Sequence, residues 1–253
     1  MFLTRSERYE YRLYRRNRRR RKLALVLAVA LVLTAVALDH HASAHPASRK
    51  GTSVTGTNAH ARTPSARKSA TAKASGLNWI DFHGIELPVS AQDGPHHGSG
   101  GLAWGFRDTT QGAVLAAVNI AVRTAAQWGP AIYQPTIHNQ LTGPGASALL
   151  KTDASEYAGL RSAARVRPGQ PVGRGYAVEV AYRVAAYAPA AAKVDILTEG
   201  PGNSGVTVMV VTRIDVVWLH GDWRVVAPAD GDWASSATTA SSMTGYTTFP
   251  DER

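Results

Sequence analysis

Two aspartates on predicted strands are the residues of this chain whose types and positions best suit catalysis. Asp195 and Asp215 lie in segments that alternate apolar and polar residues, a pattern typical of β-strands. A carboxylate base and a tyrosine hydroxyl that face one apolar pocket can move a proton on a bound substrate, which is isomerase chemistry. The tyrosines that could donate are Tyr176, Tyr182 and Tyr187.

The same aspartates also suit a structural role. A carboxylate on a strand points outward at least as often as inward, and next to Arg183 or Arg213 it forms an ordinary surface ion pair. We therefore predict a protein without catalytic residues and keep the isomerase-type enzyme as an alternative.

Other kinds of catalysis and metal binding need residues or motifs that this sequence does not contain. The chain has no cysteine, which excludes thiol nucleophiles and disulfides. It contains no Gly-x-Ser-x-Gly, His-Glu-x-x-His or Walker sequence. Four histidines share a low-complexity segment, but their spacing fits no metal-ligand pattern. They are His40, His41, His45 and His60. We predict no metal and no cofactor.

A dense basic block stands directly before an apolar run. The residues of the block nearest the run are Arg18, Arg19, Arg20, Arg21 and Lys22. Residues 23–38 contain no charged side chain. Lys and Arg stay on the cytoplasmic side of a membrane. The sequence therefore predicts a cytoplasmic arm over residues 1–22, a single transmembrane helix over 23–38, and a cell-membrane protein whose C-terminal part lies outside.

The net charge of +10 is unevenly distributed. Residues 1–22 carry +8, residues 39–76 carry +5 and residues 77–253 carry −3. Anionic lipids attract juxtamembrane basic residues by about 1 kcal/mol each. We therefore expect a bilayer with anionic lipids as the partner of the arm, and no direct contact with nucleic acid.

The apolar run is short for a membrane span. Its sixteen residues would form a helix of about 24 Å, whereas a standard span needs about 20 residues. A signal peptide cleaved after Ala44 is the alternative. The long basic region and the polar Asp39-His40-His41 sequence favour the uncleaved anchor.

The rest of the chain divides by composition. Residues 39–76 contain almost no large apolar side chain, which predicts a disordered linker. Residues 77–249 form the predicted exported domain, beginning with an irregular arm rich in aromatics, and residues 250–253 form a tail. Within the domain, Tyr246 and Phe249 are expected to dock the Ala/Ser/Thr-rich C-terminal segment.

Helical periodicity precedes strand periodicity in this domain. One predicted helix is capped by Asp108 and ends at Gly129-Pro130, and a second helical stretch ends at Arg167-Pro168. Four predicted strands follow, covering residues 176–186, 193–199, 206–218 and 223–227. This order predicts an α+β fold in which helices pack on a curved four-stranded antiparallel sheet, as in a nuclear transport factor 2-like cone.

Trp218 and Trp223 flank the predicted connection between the last two strands. They could pin the register of this hairpin by packing across it. Alternatively, they could form an exposed anchor for a partner, since Trp is enriched at interaction hot spots.

A spaced series of glycine, proline and tryptophan motifs carries a resemblance. The motifs are Gly84-Ile-Glu-Leu87-Pro88-Val-Ser90, Gly94-Pro95, Gly101-Leu-Ala103-Trp-Gly105-Phe106, Thr110-Gln-Gly112-Ala113, Ala116-Ala117, Gly143-Pro144-Gly145, Tyr187-Ala-Pro189 and Trp218-Leu-His-Gly221-Asp222-Trp223-Arg224. With these motifs the chain resembles membrane-anchored proteins encoded on integrative conjugative elements of actinomycetes. Their exported domain is similar to that of type IV secretion inner-membrane assembly factors.

The resemblance implies a non-enzymatic assembly or scaffold component of a conjugative transfer apparatus. Its expected partners are other proteins of that apparatus, with self-association as a further expectation. An exported module that binds a small ligand inside the cone is the alternative function.

Overall fold

The computed structural model of the protein describes residues 76–175, 177–201 and 206–250. The basic arm, the apolar run and the predicted linker as far as residue 75 lie outside the described residues. No helix in the described ranges is long and apolar enough to cross a membrane.

The described chain begins with two antiparallel hairpins. Strand β1 (Asn78–Phe82) pairs with β2 (Ile85–Val89), and β3 (His97–Ser99) pairs with β4 (Leu102–Trp104). The sequence predicted an irregular arm here. Strand β1 has only two half-buried apolar residues and β3 has none, and in β2 the buried residues Leu87 and Pro88 are adjacent, so no readable alternation results.

Three helices follow. They are α1 (Thr110–Arg123), α2 (Pro130–Gln140) and α3 (Ala146–Ala164), and a short 3₁₀ helix at Ala126–Trp128 lies between the first two. The predicted capping residue of α1 is wrong by one position, because the hydroxyl of Thr109 rather than Asp108 accepts the hydrogen bond from the amide of Gly112. The helix in the structure also ends earlier than predicted, at Arg123.

The sheet has seven strands. Its long strands are β6 (Val178–Ala188), β7 (Ala191–Pro201) and β8 (Thr207–Leu219), followed by β9 (Asp222–Val226). Three short strands extend it: β5 (Leu141–Thr142), β10 (Ala237–Ala240) and β11 (Thr247–Thr248). The order is β11-β6-β7-β8-β9-β5, with β10 on the half of β8 that β9 leaves unpaired. All pairs are antiparallel except β5 with β9.

The predicted fold class is therefore wrong. The sheet is seven-stranded and mixed, not the four-stranded antiparallel sheet of a nuclear transport factor 2-like cone. The four predicted strands form its centre. The other three are two to four residues long, too short to carry a period, and they form because free backbone groups on the sheet edges pair with nearby chain.

Helix α1 lies at the centre of the domain. Every residue from Gly112 to Ile120 is buried, which is typical of a helix enclosed on all sides. It contacts the sheet on one side and strands β2 and β4 on another. The side-chain amide of Asn119 donates to the carbonyl of Pro88 at 2.8 Å and so fixes β2 against the helix.

The sheet buries its inner face and part of its outer face. The inner face packs on the helices through residues such as Val194 and Ile196. The outer face carries a second cluster, in which Ala181 and Leu197 are covered by Tyr246 of the C-terminal segment. Phe249 is also buried, and its ring lies 5.0 Å from that of Tyr182. Both predicted docking aromatics therefore attach the C-terminal segment.

Trp218 and Trp223 face each other directly across β8 and β9. Their ring centroids are 5.4 Å apart in an edge-to-face arrangement. Trp223 is fully buried, and its indole N–H donates to the carbonyl of Arg107 at 2.8 Å. Trp218 is half-buried at the margin of the same core.

We predict that Trp223→Ala lowers the free energy of unfolding by roughly 3–5 kcal/mol, because it leaves a large cavity in a closed core. Trp218→Ala should cost distinctly less, since part of its ring is already in solvent. Chemical denaturation of both variants measures this difference. Equal and small effects would contradict the assignment of Trp223 to the core.

Candidate ligand cavity

A partly open cavity of about 90 Å³ lies between the inner face of the sheet and the helices. Its walls come from the end of α1, the 3₁₀ helix after it, one face of α3, the first residues of β6, and the facing parts of β7 and β8. The loop at Gly231–Trp233 closes one side. The volume suffices for several water molecules or for one small solute.

Most of the wall is apolar and rigidly held. Trp128 and Trp233 contribute their rings. The indole N–H of Trp128 donates to the carbonyl of Val122 at 2.7 Å, and that of Trp233 donates to the hydroxyl of Thr124 at 3.0 Å. These bonds satisfy the polar atom of each indole, so the rings present apolar faces in fixed positions.

Gly231 brings the closing loop against α3. Its φ of +74° lies in the left-handed region, and an added Cβ would come within 2.5 Å of the backbone of Ala148 and Leu149. Only glycine combines this conformation with so close an approach. The contact holds Asp232 at the cavity, where its side chain also caps the short helix at Trp233–Ser236 by accepting from the amide of Ala234.

Asp153 lines the cavity from α3. The residue is only 5% exposed, and its Oδ2 has no hydrogen-bond partner among the described residues. Burial, together with the negative charges of Glu156 and Asp232, raises the pKa of Asp153 to about 8. The carboxyl group of Asp153 is therefore mostly neutral at pH 7.

Glu179 lines the cavity from β6, opposite Thr198 of β7. It is likewise 5% exposed, and its Oε2 lacks a partner within the described part of the chain. Burial raises its pKa to about 8. Two separate elements thus each bring one neutral, incompletely bonded carboxyl group to the same cavity.

A β-bulge turns Glu179 inward. The β6–β7 register shifts between Glu179 and Ala181, so these residues lie on opposite faces although they are two positions apart. Ala181 packs in the outer cluster, while Glu179 lines the cavity. The carbonyl of the bulged residue Val180 accepts from the amide of Phe249 at 3.0 Å, so the C-terminal segment satisfies the group that the bulge frees.

The cavity wall is acidic. Besides Asp153 and Glu179 it includes the half-buried Glu156 and Asp232. Burial and the charge of Asp232 also raise the pKa of Glu156. Among the cavity-lining residues that the structure describes, none is basic.

The chain matches a family model over residues 43–248, and the family is described as a domain of unknown function, DUF8175. The chain belongs to the DUF8175 family. No curated protein and no solved structure matches it. The matched range includes every cavity-lining residue of this DUF8175 domain.

The two aspartates singled out from the sequence do not line the cavity. Asp195 lies at 2.6 Å from Arg183 and at 2.7 Å from Arg213. Burial opposes its ionisation, but the hydrogen bonds from Arg213 and Arg183 outweigh this and lower the pKa of Asp195. Asp215 pairs with Lys193 at 2.7 Å. Both therefore belong to ion pairs on the sheet.

The sequence-derived tyrosines are also elsewhere. Tyr182 packs against Phe249, and the ring of Tyr187 lies 6.3 Å from that of Trp223. Tyr176 lies outside the described residues. The proposed aspartate–tyrosine constellation is not assembled at the cavity.

The remaining predicted residues have other positions. Trp218 and Trp223 lie in the hairpin core described above, away from the cavity wall. Arg18, Arg19, Arg20, Arg21 and Lys22 lie outside the described residues. The described residues also contain no cluster of three or more potential metal ligands.

The sequence carried a readable signal for Asp153. Leu149 and Tyr157 are four residues to either side of it, and these three are the buried residues of α3. An acidic residue at that spacing must lie on the helix face that contacts the core. No comparable signal exists for Glu179, because the bulge that turns it inward has no sequence signature.

The raised pKa values predict how stability depends on pH. A carboxyl group whose pKa is higher in the folded than in the unfolded state stabilises the fold at low pH, and this contribution is lost as the pH rises towards 8. Glu179→Gln and Asp153→Asn each remove one carboxyl group that would ionise, and so avoid its loss of stability. From pH 6 to pH 8, the free energy of unfolding of each variant should therefore increase by roughly 2 kcal/mol relative to that of the unchanged protein.

Urea denaturation at a series of pH values tests this. Asp215→Asn, which removes a carboxylate outside the cavity, is the matched control and should show no such gain. If the two cavity variants follow the pH profile of the unchanged protein, the buried carboxyl groups are ionised and the assignment fails.

Proposed function

We propose that the DUF8175 domain of this protein binds a small molecule in the cavity between α1, α3 and β6. The observation that carries the proposal is that two carboxyl groups of the cavity wall, those of Asp153 and Glu179, each have a buried oxygen without a partner among the described residues. A buried polar atom left without a hydrogen bond costs roughly 1–3 kcal/mol. A polar ligand group between the two side chains would recover this energy.

The construction of the walls also supports ligand binding. The indoles of Trp128 and Trp233 are held by their own hydrogen bonds and need no rearrangement to enclose a solute. An apolar pocket with a few convergent polar groups is the usual form of a small-molecule site. Ion-paired Asp195 and Asp215 lend no comparable support to isomerase chemistry.

Binding can be measured on the full chain with a set of small fragments. Because Trp128 and Trp233 line the cavity, a bound fragment should change the tryptophan fluorescence. It should also raise the melting temperature, since a ligand at tenfold its Kd stabilises the fold by about 1.4 kcal/mol.

Two variants in which leucine replaces alanine locate the site. Ala121→Leu adds volume at the cavity wall and should abolish both signals while the protein stays folded. Ala163→Leu makes the same change at an exposed position of α3 and should leave both signals intact. Fragment binding that persists in Ala121→Leu, or no binding by any fragment, would contradict the proposal.

For the chain as a whole we propose a membrane-anchored role in assembling a conjugative transfer apparatus. The basic residues 1–22, the apolar residues 23–38 and the resemblance of the motifs support this proposal. An anchor raises the effective concentration of the domain for partners in the same membrane.

Deletion of the gene from donor cells should therefore abolish or sharply lower DNA transfer, and deletion from recipients should change nothing. Transfer frequencies measure both. A chain that lacks residues 1–38 should fail to restore transfer in the donor. Unchanged transfer from a deletion donor would refute the role.

A further inference from the structure

We infer that the cavity takes a compact organic cation, an alkylammonium or alkylguanidinium, whose charged head lies against Asp153 and Glu179. This inference rests on the proposed ligand-binding function and specifies the chemical class of the ligand. It is carried by two carboxyl oxygens without a partner among the described residues, which two separate elements, α3 and β6, bring to one cavity.

The charge of the wall selects a cation. Four carboxyl groups border the cavity, from Asp153, Glu156, Glu179 and Asp232, and no basic side chain is described there. A buried anion needs an opposite charge nearby to be stable. An ammonium or guanidinium group supplies that charge. It also donates hydrogen bonds, which suits carboxylate oxygens because they can only accept them.

The volume and the apolar walls define the rest of the ligand. A cavity of about 90 Å³ is smaller than the roughly 150 Å³ that encloses a benzene molecule. A charged head and a few methylene groups fit that space. The rings of Trp128 and Trp233 offer the apolar surface against which such methylene groups would pack.

Binding of a cation is coupled to the release of protons. Without a ligand, burial keeps the carboxyl groups of Asp153 and Glu179 largely protonated at neutral pH. When the cation enters, each carboxyl group that it contacts loses its proton to solvent and becomes a carboxylate. The other groups facing Asp153 are Glu156, Asp232 and the hydroxyl of Tyr133, and none of them supplies a positive charge.

A neutral ligand that binds through a carbonyl oxygen would show the opposite dependence on pH. A carbonyl oxygen can only accept hydrogen bonds, so it needs the carboxyl groups in their protonated form. Its affinity would fall as the pH rises past the pKa of the two carboxyl groups. The sign of the pH dependence therefore separates the two classes of ligand.

The test uses ethylguanidinium and its neutral counterpart ethylurea, which have nearly the same shape. Isothermal titration calorimetry on the full chain measures both between pH 6 and pH 9. Ethylguanidinium keeps its charge throughout this range. Its affinity should rise about tenfold per pH unit below pH 8 for each proton released, and then level off. Titration in two buffers with different ionisation enthalpies counts the protons released.

Conservative variants assign the effect to the two carboxyl groups. Glu179→Gln and Asp153→Asn should each weaken ethylguanidinium binding at least tenfold at pH 8 and reduce the number of protons released. Asp215→Asn removes the same charge outside the cavity and should leave the binding unchanged. Cooperative urea unfolding of each variant confirms that it is folded.

The outcomes separate the ligand class from the proposed function. If ethylurea binds and ethylguanidinium does not, the cation assignment is wrong and the cavity still binds a small molecule. If ethylguanidinium binds without releasing protons, the proposed contact of its charged head with protonated Asp153 and Glu179 is wrong. If no fragment of either class binds and Ala121→Leu changes nothing, the proposed function fails as well.

Discussion

The carboxylate of Asp222 holds the centre of this domain together. It accepts hydrogen bonds from three backbone amides, those of Gly105 at 2.9 Å, Phe106 at 3.0 Å and Trp223 at 2.9 Å. Gly105 and Phe106 lie more than a hundred residues earlier in the chain. Bonds of this kind, from neutral amides to an ionised acceptor, are stronger than those between neutral groups. They join the last long hairpin of the sheet to the segment that leads into α1.

The position of α1 follows from this junction. Trp223 adds its own bond to Arg107, so Gly105, Phe106 and Arg107 are all bonded to the sheet just before the helix begins. The helix then crosses the sheet, enclosed on all sides, and its far end supplies Val122 and Thr124. Those two residues hold the indoles of Trp128 and Trp233. The cavity is therefore shaped at one end of a helix whose other end Asp222 and Trp223 anchor.

The domain contains carboxyl groups of two opposite kinds. Asp195 is buried with two arginines, and its pKa is low despite the burial. Asp153 and Glu179 are buried with no described cation, and their pKa values are about 8. The first kind stabilises the sheet through an ion pair. The second kind destabilises the fold whenever it ionises, and such an arrangement is typical of positions that serve binding or chemistry.

The sequence by itself determined the elements with a strong period. The four central strands and the helix α1 follow from the spacing of apolar residues. The docking of Tyr246 and Phe249 follows from their being aromatic residues in an Ala/Ser/Thr-rich segment. The helical spacing of Leu149, Asp153 and Tyr157 also suffices to place Asp153, one of the acidic residues of the cavity, on the inward face of its helix. The sequence also determined the charge distribution of residues 1–76, on which the proposal of a membrane anchor rests.

Only the tertiary structure decided the extent of the sheet and the site. Strands β5, β10 and β11 form where unpaired backbone on the edges of the sheet meets passing chain, and two to four residues cannot show a period. The bulge at Val180 reverses the face on which Glu179 lies, because a register shift depends on the neighbouring strand and on the C-terminal segment that bonds the freed carbonyl. A local pattern predicts which residues alternate, but the pairing of distant strands decides which face each residue finally occupies.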